Sequence, residues 1–298
     1  MSSDTTAKHP TASPAARTVK AIPYDARKWL RHSKKFPHLW CPGCGLGVIL
    51  AASIRAFHDA GMTKDNTVVV AGIGCTGRIP VYIDCNTLHT THGRALTFAT
   101  GIKLAKPNLK VVVFMGDGDA LAIGGNHFIH ACRRNIDLTA IVVNNSIYGM
   151  TGGQVSPTTP YLAKSTTTPK GHFARPFDTC DLAIGAGATF VARSTAAHAK
   201  HMQKMIREGL EHTGFSMIEV ISNCHTSFGR LNALGSHIDM FKQMQDSAVM
   251  YKPDMDIAEK KREGKNALGV LLRDDDFPDY IAQKQGKLHR GDEDACTS

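Results

Sequence analysis

Two apolar runs that end in oxygen-bearing residues constrain this chain more than anything else in it. Val111–Met115 reads VVVFM and runs into Gly116-Asp117-Gly118-Asp119; Leu138–Val143 reads LTAIVV and runs into Asn144-Asn145. The 25 residues between Gly118 and Asn144 suffice for one helix. Strand, helix, strand at this spacing is a βαβ unit, whose two strand C-termini open on one crevice. Asp117 and Asn145 would face each other there. A carboxylate and an amide oxygen suit a hard cation such as Mg²⁺ that itself holds a phosphate. Asp and Asn are also ordinary turn residues, so the pair needs support from the rest of the chain.

The flanking sequence supplies it. Residues 1–25 are polar and read as a flexible tail, with no apolar core of a secretory signal. GVILAASIRAFHDAG reads as a helix ended by Gly61, and Thr67–Cys75 as a buried strand entering a Gly-rich turn. His92–Lys106 reads as a helix rich in small residues, and a further helix is expected near His127–Arg133. Strand–helix alternation continues through Ala196–His212 and Phe215–Ile221, the latter ending at Ser222-Asn223-Cys224-His225. The fold class is α/β, an open and mostly parallel sheet with helices on both faces. One domain is expected over 26–252, then a charged, irregular extension and polar tail over 253–298. The Gly/Ser/Thr/Pro-rich segment from Tyr148 to about Lys170 is long for an unstructured connection and reads as functional.

Eight cysteines occur, at 41, 44, 75, 85, 132, 180, 224 and 296. Cys41-Pro42-Gly43-Cys44 reads as a metal, cluster or redox pair. Cys75 and Cys224 each end a strand, on the same sheet edge as Asp117 and Asn145, so the four thiols would converge beside the crevice. Four thiolates with no nearby histidine pair suit Zn²⁺ or a [4Fe–4S] cluster, and spacing leaves both open. Cys85, Cys132, Cys180 and Cys296 have no such context. His127 and His130 share a helix face without a third ligand and read as structural.

The GDG…NN pattern resembles the diphosphate-binding domain of thiamine diphosphate enzymes across Val111–Gln154. That resemblance implies Mg²⁺ held by Asp117, Asn145 and the main-chain carbonyl of Ile147. Gly116 and Gly118 would let the backbone approach the phosphates, with Gly149 and Thr151 capping them and Asp119 supporting the loop. CPGCG, GIGCTGR, HGRA, GDGD…NN, YGMTGGQ and Cys224-x-Thr226-x-x-Gly229 occur in that order over roughly residues 38–290. Together they resemble the β subunit of 2-oxoacid:ferredoxin oxidoreductases. The resemblance implies that Cys41, Cys44, Cys75 and Cys224 hold a [4Fe–4S] cluster. Arg78 would contact the substrate carboxylate, His92 would touch the thiamine or substrate, and His225 and Thr226 would line the cluster pocket.

The implied reaction is coenzyme A-dependent oxidative decarboxylation of a 2-oxoacid, or the reverse carboxylation. The GCTGR form inclines the reading toward 2-oxoglutarate over pyruvate or a broad 2-oxoacid range. A single α/β domain leaves no room for the carboxylate that activates the aminopyrimidine. An α subunit carrying it is therefore expected, in an αβ heterodimer or a dimer of heterodimers. Competing readings are an iron-free thiamine-dependent decarboxylase or synthase subunit, and a zinc-stapled nucleotide-binding regulator. The net charge of +9 suits an acidic partner such as ferredoxin. Nucleic acid is not expected, because no basic stripe interleaved with aromatics occurs. Nor is a membrane partner, because no apolar run approaches the roughly 20 residues of a bilayer span; the cytoplasm is the expected location.

Overall fold

The structure is a computed structural model that describes residues 28–31, 33 and 36–284. The tail over 1–25, Lys34-Lys35, the final polar segment and Cys296 lie outside the described residues. The chain builds an eight-stranded sheet: β1 Thr67–Ala71, β2 Asn86–His89, β3 Lys110–Gly116, β4 Leu138–Asn144, β7 Phe190–Thr195, β8 Phe215–Ile221, β9 Ala248–Met250 and β10 Asn266–Arg273. The spatial order is β2-β1-β3-β4-β8-β7-β10-β9. Strands β5 Ile147–Tyr148 and β6 Gln154–Val155 form a separate antiparallel hairpin.

The central strands are nearly continuous apolar runs because both their faces are covered. In β1 every residue is buried, and β3 and β8 are buried along almost their whole length. Alternate residues feed two cores. Val69, Val112, Phe114, Ile141 and Ile218 face one core, under helices α1 Leu46–Asp59 and α5 Ala199–Glu211. Val68, Val113, Met115, Val142 and Met217 face the other, under α2 Ala95–Ala105, α3 Gly125–Arg133 and α4 Thr179–Gly185. In α5 the buried set is Met202, Met205, Ile206, Gly209 and Leu210, the i, i+3, i+4 spacing of one apolar stripe.

Two sequence expectations change. The stretch after Pro253 is not irregular throughout. It forms a short helix α7, Ile257–Arg262, and then β10, which pairs antiparallel with β7. Its NALGVLLR pattern is masked by a register shift between Val270 and Leu272, where alternation breaks. The helix expected from His92 starts at Ala95. Gly93, at φ +72°, turns the chain just before it, so His92 belongs to a loop. Elsewhere Phe215–Ile221 is a strand as read, and α6 spans His237–Asp246. Among the described residues no helix is long and apolar enough to cross a membrane.

Candidate active site

The strand order reverses at β1: the chain moves from β1 to β2 on one side and to β3 on the other. A crevice opens outside the strand ends at such a point. Here it is a cleft of about 320 Å³ that gathers loops from five places. The β1 end supplies Cys75, the turn before α2 supplies His92, and the β3 end supplies Gly116, Asp117, Gly118 and Asp119. Asn145 and Ile147 follow β4, and Gly149 and Thr151 come from the hairpin turn.

Asp117 is 2 % exposed. Its Oδ2 accepts from Ser156 Oγ at 2.6 Å and from Thr158 Oγ1. Burial pushes its pKa up to about 6 despite these hydroxyls, which favour the ion. The loop after Tyr148 folds Ser156 and Thr158 onto the carboxylate. Asn144 and Asn145 divide their roles. Asn144 Nδ2 donates to the buried Glu219 Oε1 at 2.9 Å, and its Oδ1 accepts from Ser146 N at 3.1 Å. Asn145 lines the cleft, and its Oδ1 accepts from Ile147 N at 3.3 Å. Tyr148 Oη donates to the Gly118 carbonyl at 2.8 Å. A Cβ on Gly118 would sit 2.3 Å from that ring, so only glycine fits.

Asp119 supports the loop. Its Oδ1 accepts from His92 Nδ1 at 2.6 Å and from Gly93 N at 2.7 Å. Among the described residues its Oδ2 is buried with no hydrogen-bond partner, and burial raises the pKa of the carboxyl. The bond from Nδ1 fixes the imidazole in the cleft wall and commits that nitrogen, so its other nitrogen, Nε2, is left for ligand.

The four cysteines converge. A Cβ on Gly149 would lie 3.2 Å from Cys224 Sγ and 3.8 Å from Cys75 Sγ. Cys41 Sγ is 3.7 Å from Thr226 Oγ1. Burial, with smaller contributions from neighbouring cysteines, pushes both Cys44 and Cys75 up to about 11. At neutral pH Cys44 and Cys75 are thus held as thiols, and a metal centre would displace their protons on binding. Cys41 is exposed; Cys44, Cys75 and Cys224 are half-buried.

Arg78 is not brought into the cleft wall. It sits half-buried on the 3₁₀ helix Thr76–Val81. Cys85 donates to the Asn86 carbonyl, while Cys132 and Cys180 are buried in the core. Cys180 lies with Asp178 and Glu219 in a compact trio, but Arg193 already occupies it. Its Nε meets Glu219 at 2.5 Å and its Nη2 meets Asp178 at 2.7 Å, with Lys261 on Asp178 at 2.9 Å. This trio is an ion-pair core. Sequence reasoning missed Asn144, Tyr148, Ser156 and Thr158 as site residues; the hydroxyl-rich loop was the one available signal.

Comparison with known proteins narrows the chemistry. Residues 72–220 match the family described as thiamine pyrophosphate enzyme, C-terminal TPP binding domain. The 2-oxoglutarate synthase subunit KorB of Methanocaldococcus jannaschii is 46% identical over 260 residues, which is 87% of this chain and 96% of that protein. The chain belongs to the β subunits of the 2-oxoacid:ferredoxin oxidoreductases, of the 2-oxoglutarate type. The KorB subunit of Archaeoglobus fulgidus is 62% identical over 194 residues, covering 65% of this β subunit and 72% of that one. A solved structure, 2-oxoglutarate:ferredoxin oxidoreductase from Magnetococcus marinus with 2-oxoglutarate, coenzyme A and succinyl-CoA bound, aligns with a TM-score of 0.80. That chain is 32% identical, and the match covers 91% of each chain. The β subunit thus shares its fold and its thiamine diphosphate-binding domain with these proteins.

Proposed function

We propose that this β subunit, paired with an α subunit in the cytoplasm, oxidises 2-oxoglutarate with coenzyme A to succinyl-CoA and CO₂, or runs the reverse carboxylation. Each turnover releases two electrons, which pass singly to ferredoxin. The observation that carries the reading is the shared wall: Cys75 lines the cleft that holds Asp117 and Asn145, and also belongs to the four-thiol nest.

The residues fit the implied groups. Asp117, the Asn145 side chain and the Ile147 carbonyl are the oxygen donors for Mg²⁺, a donor set suited to a hard cation. The cleft closes over glycine backbone at Gly116 and Gly118, with Thr151 and Gly149 on the facing turn. For the thiols, Zn²⁺ at roughly 2.3 Å from each sulfur needs sulfurs roughly 3.8 Å apart. Among the described residues no three of the four lie within 4.8 Å of one another, which supports the wider [4Fe–4S] cluster.

When bound, thiamine diphosphate supplies the nucleophilic carbon and the electron sink for decarboxylation. The chain's own residues anchor, orient and insulate. Asp117 neutralises cation charge, Asp119 holds His92 against the cleft, and Tyr148 fixes the Gly118 carbonyl. Asp117 and Asp119 are the carboxylates in the cleft wall, Asp117 bonded to Ser156 and Thr158 and Asp119 bonded through Oδ1 to His92 and Gly93. This favours a partner chain as the source of the acid that activates the aminopyrimidine. Arg78 is proposed as a carboxylate contact that acts once the partner closes the site.

The αβ complex tests substrate choice. With coenzyme A and a viologen dye, kcat/KM for 2-oxoglutarate should exceed that for pyruvate by at least about tenfold. Equal or faster turnover of pyruvate would overturn the 2-oxoglutarate assignment, and full activity of the isolated β subunit would overturn the two-subunit site.

The pH dependence of cofactor binding follows from Asp117. Its folded pKa of about 6 lies above the ordinary 3.8. The carboxyl therefore favours the folded chain below pH 3.8 and loses that contribution as pH rises through 6. Above pH 6 the two hydroxyls offset part of the cost of the buried ion, and a bound cation would offset the rest. Below pH 6 protons compete with Mg²⁺ for the same oxygens. The rise in Tm on adding Mg²⁺ and thiamine diphosphate should thus be larger at pH 7.5 than at pH 5. An equal rise at both would remove Asp117 as the cation ligand.

A further inference from the structure

Three separate segments carry the four cysteines, and two side chains already join them. Asn223 ends the β8 segment just before Cys224 and is 1 % exposed. Its Nδ2 donates to the Gly43 carbonyl at 3.0 Å, and its Oδ1 accepts from Gly45 N at 2.9 Å. One amide thus spans Gly43-Cys44-Gly45 across a gap of about 180 residues in sequence. Within that loop Cys44 N donates to the Cys41 carbonyl at 3.0 Å. On the other side, Trp40 Nε1 donates to the Cys75 carbonyl at 2.8 Å. The indole is 5 % exposed, with its ring against Tyr82 at 5.2 Å between centroids.

We propose that Asn223 is a positioning residue for the iron–sulfur site: it locks the Cys41–Cys44 loop to Cys224, with Trp40 tying the same loop to Cys75, so that the thiols are spaced before any cluster arrives. The proposal rests on the cluster reading above. Neither side chain bonds a thiol in this arrangement, so neither acts as a ligand. What they supply is geometry. Four thiolates drawn together repel, and a loop free to swing would let one sulfur leave. The amide serves both arms of the clamp, since one arm needs a donor and the other an acceptor, and it carries them on separate atoms. Aspartate keeps the bond to Gly45 N but sets a carboxylate against the Gly43 carbonyl. Alanine keeps neither.

The test uses the anaerobically purified αβ complex with Asn223→Ala, Asn223→Asp and Trp40→Phe. The readouts are the rate of iron release to a ferrous chelator and the midpoint potential of the cluster by spectroscopic titration. Losing such a supporting contact typically costs about 10- to 100-fold in metal affinity. Asn223→Ala should therefore release iron at least about tenfold faster and shift the potential, with Asn223→Asp between it and the unaltered complex. Thiamine diphosphate affinity serves as the control that the adjoining cleft is intact. Unaltered release and potential in Asn223→Ala would overturn the proposal. Should Asn223→Ala fail to assemble, Trp40→Phe decides: faster release supports the clamp and unaltered release overturns it. An unaltered complex without iron and sulfide would overturn the cluster reading itself, and the clamp with it.

Discussion

Asp117→Asn should abolish cofactor-dependent catalysis while leaving the fold intact. In the αβ complex we expect affinity for thiamine diphosphate with Mg²⁺ to fall by about 100-fold. Coenzyme A-dependent oxidation of 2-oxoglutarate should fall to about a thousandth, because binding and alignment are lost together. The amide keeps the shape of the side chain and an oxygen for Ser156 and Thr158, but loses the charge that meets the cation. Stability should move the other way. A buried carboxylate whose pKa rises from 3.8 to about 6 costs roughly 3 kcal/mol at neutral pH when ionised without a cation. Removing it should leave the Tm of the cofactor-free complex unchanged or higher. A variant that binds cofactor normally, or one that melts well below the unaltered complex, would sink this account. Calorimetric titration and thermal melts with and without cofactor distinguish the outcomes.

Cys224→Ser should separate the two halves of the site. Cys224 approaches Gly149 of the cleft turn yet lies outside the cleft wall. Its loss should therefore strip the cluster and spare the diphosphate pocket. We expect iron and sulfide to fall to about a tenth or less and ferredoxin reduction to drop by about 1,000-fold. Thiamine diphosphate affinity should stay within about threefold, because no cation ligand changes. Serine is a poor ligand for this iron because its oxygen is hard and stays protonated at neutral pH. Full iron content with normal ferredoxin reduction would remove Cys224 from the ligand set. Loss of cofactor binding together with iron would show instead that the hairpin turn depends on the cluster for its shape.

Much of this site could be read before any coordinates. Phe215–Ile221 and Lys110–Met115 announce themselves as buried strands, because burial on both faces demands unbroken apolar runs. The oxygen-bearing and sulfur-bearing residues at their ends then share one edge. What could not be read depends on partners distant in the chain. Ser156 and Thr158 look like loop residues until the hairpin folds them onto Asp117. Asn144 and Asn145 are adjacent, yet one faces Glu219 in the core and the other faces the cleft. Residues 266–273 read as part of a charged extension, yet they add a strand to the sheet.

The amino-acid order alone determined the α/β class and a crevice at the strand ends, because period and spacing are local properties of a chain, while the thiamine diphosphate and four-thiol readings came from the likeness of its motifs to a known family. Tertiary structure alone decided how those residues are held. It turned His92 onto Asp119, left Arg78 outside the cleft wall, and placed the Asn223 amide across the Cys41–Cys44 loop. Hydrogen bonds between residues more than 100 positions apart exist only once the sheet has closed. No periodicity in the sequence encodes which buried amide will find which backbone group.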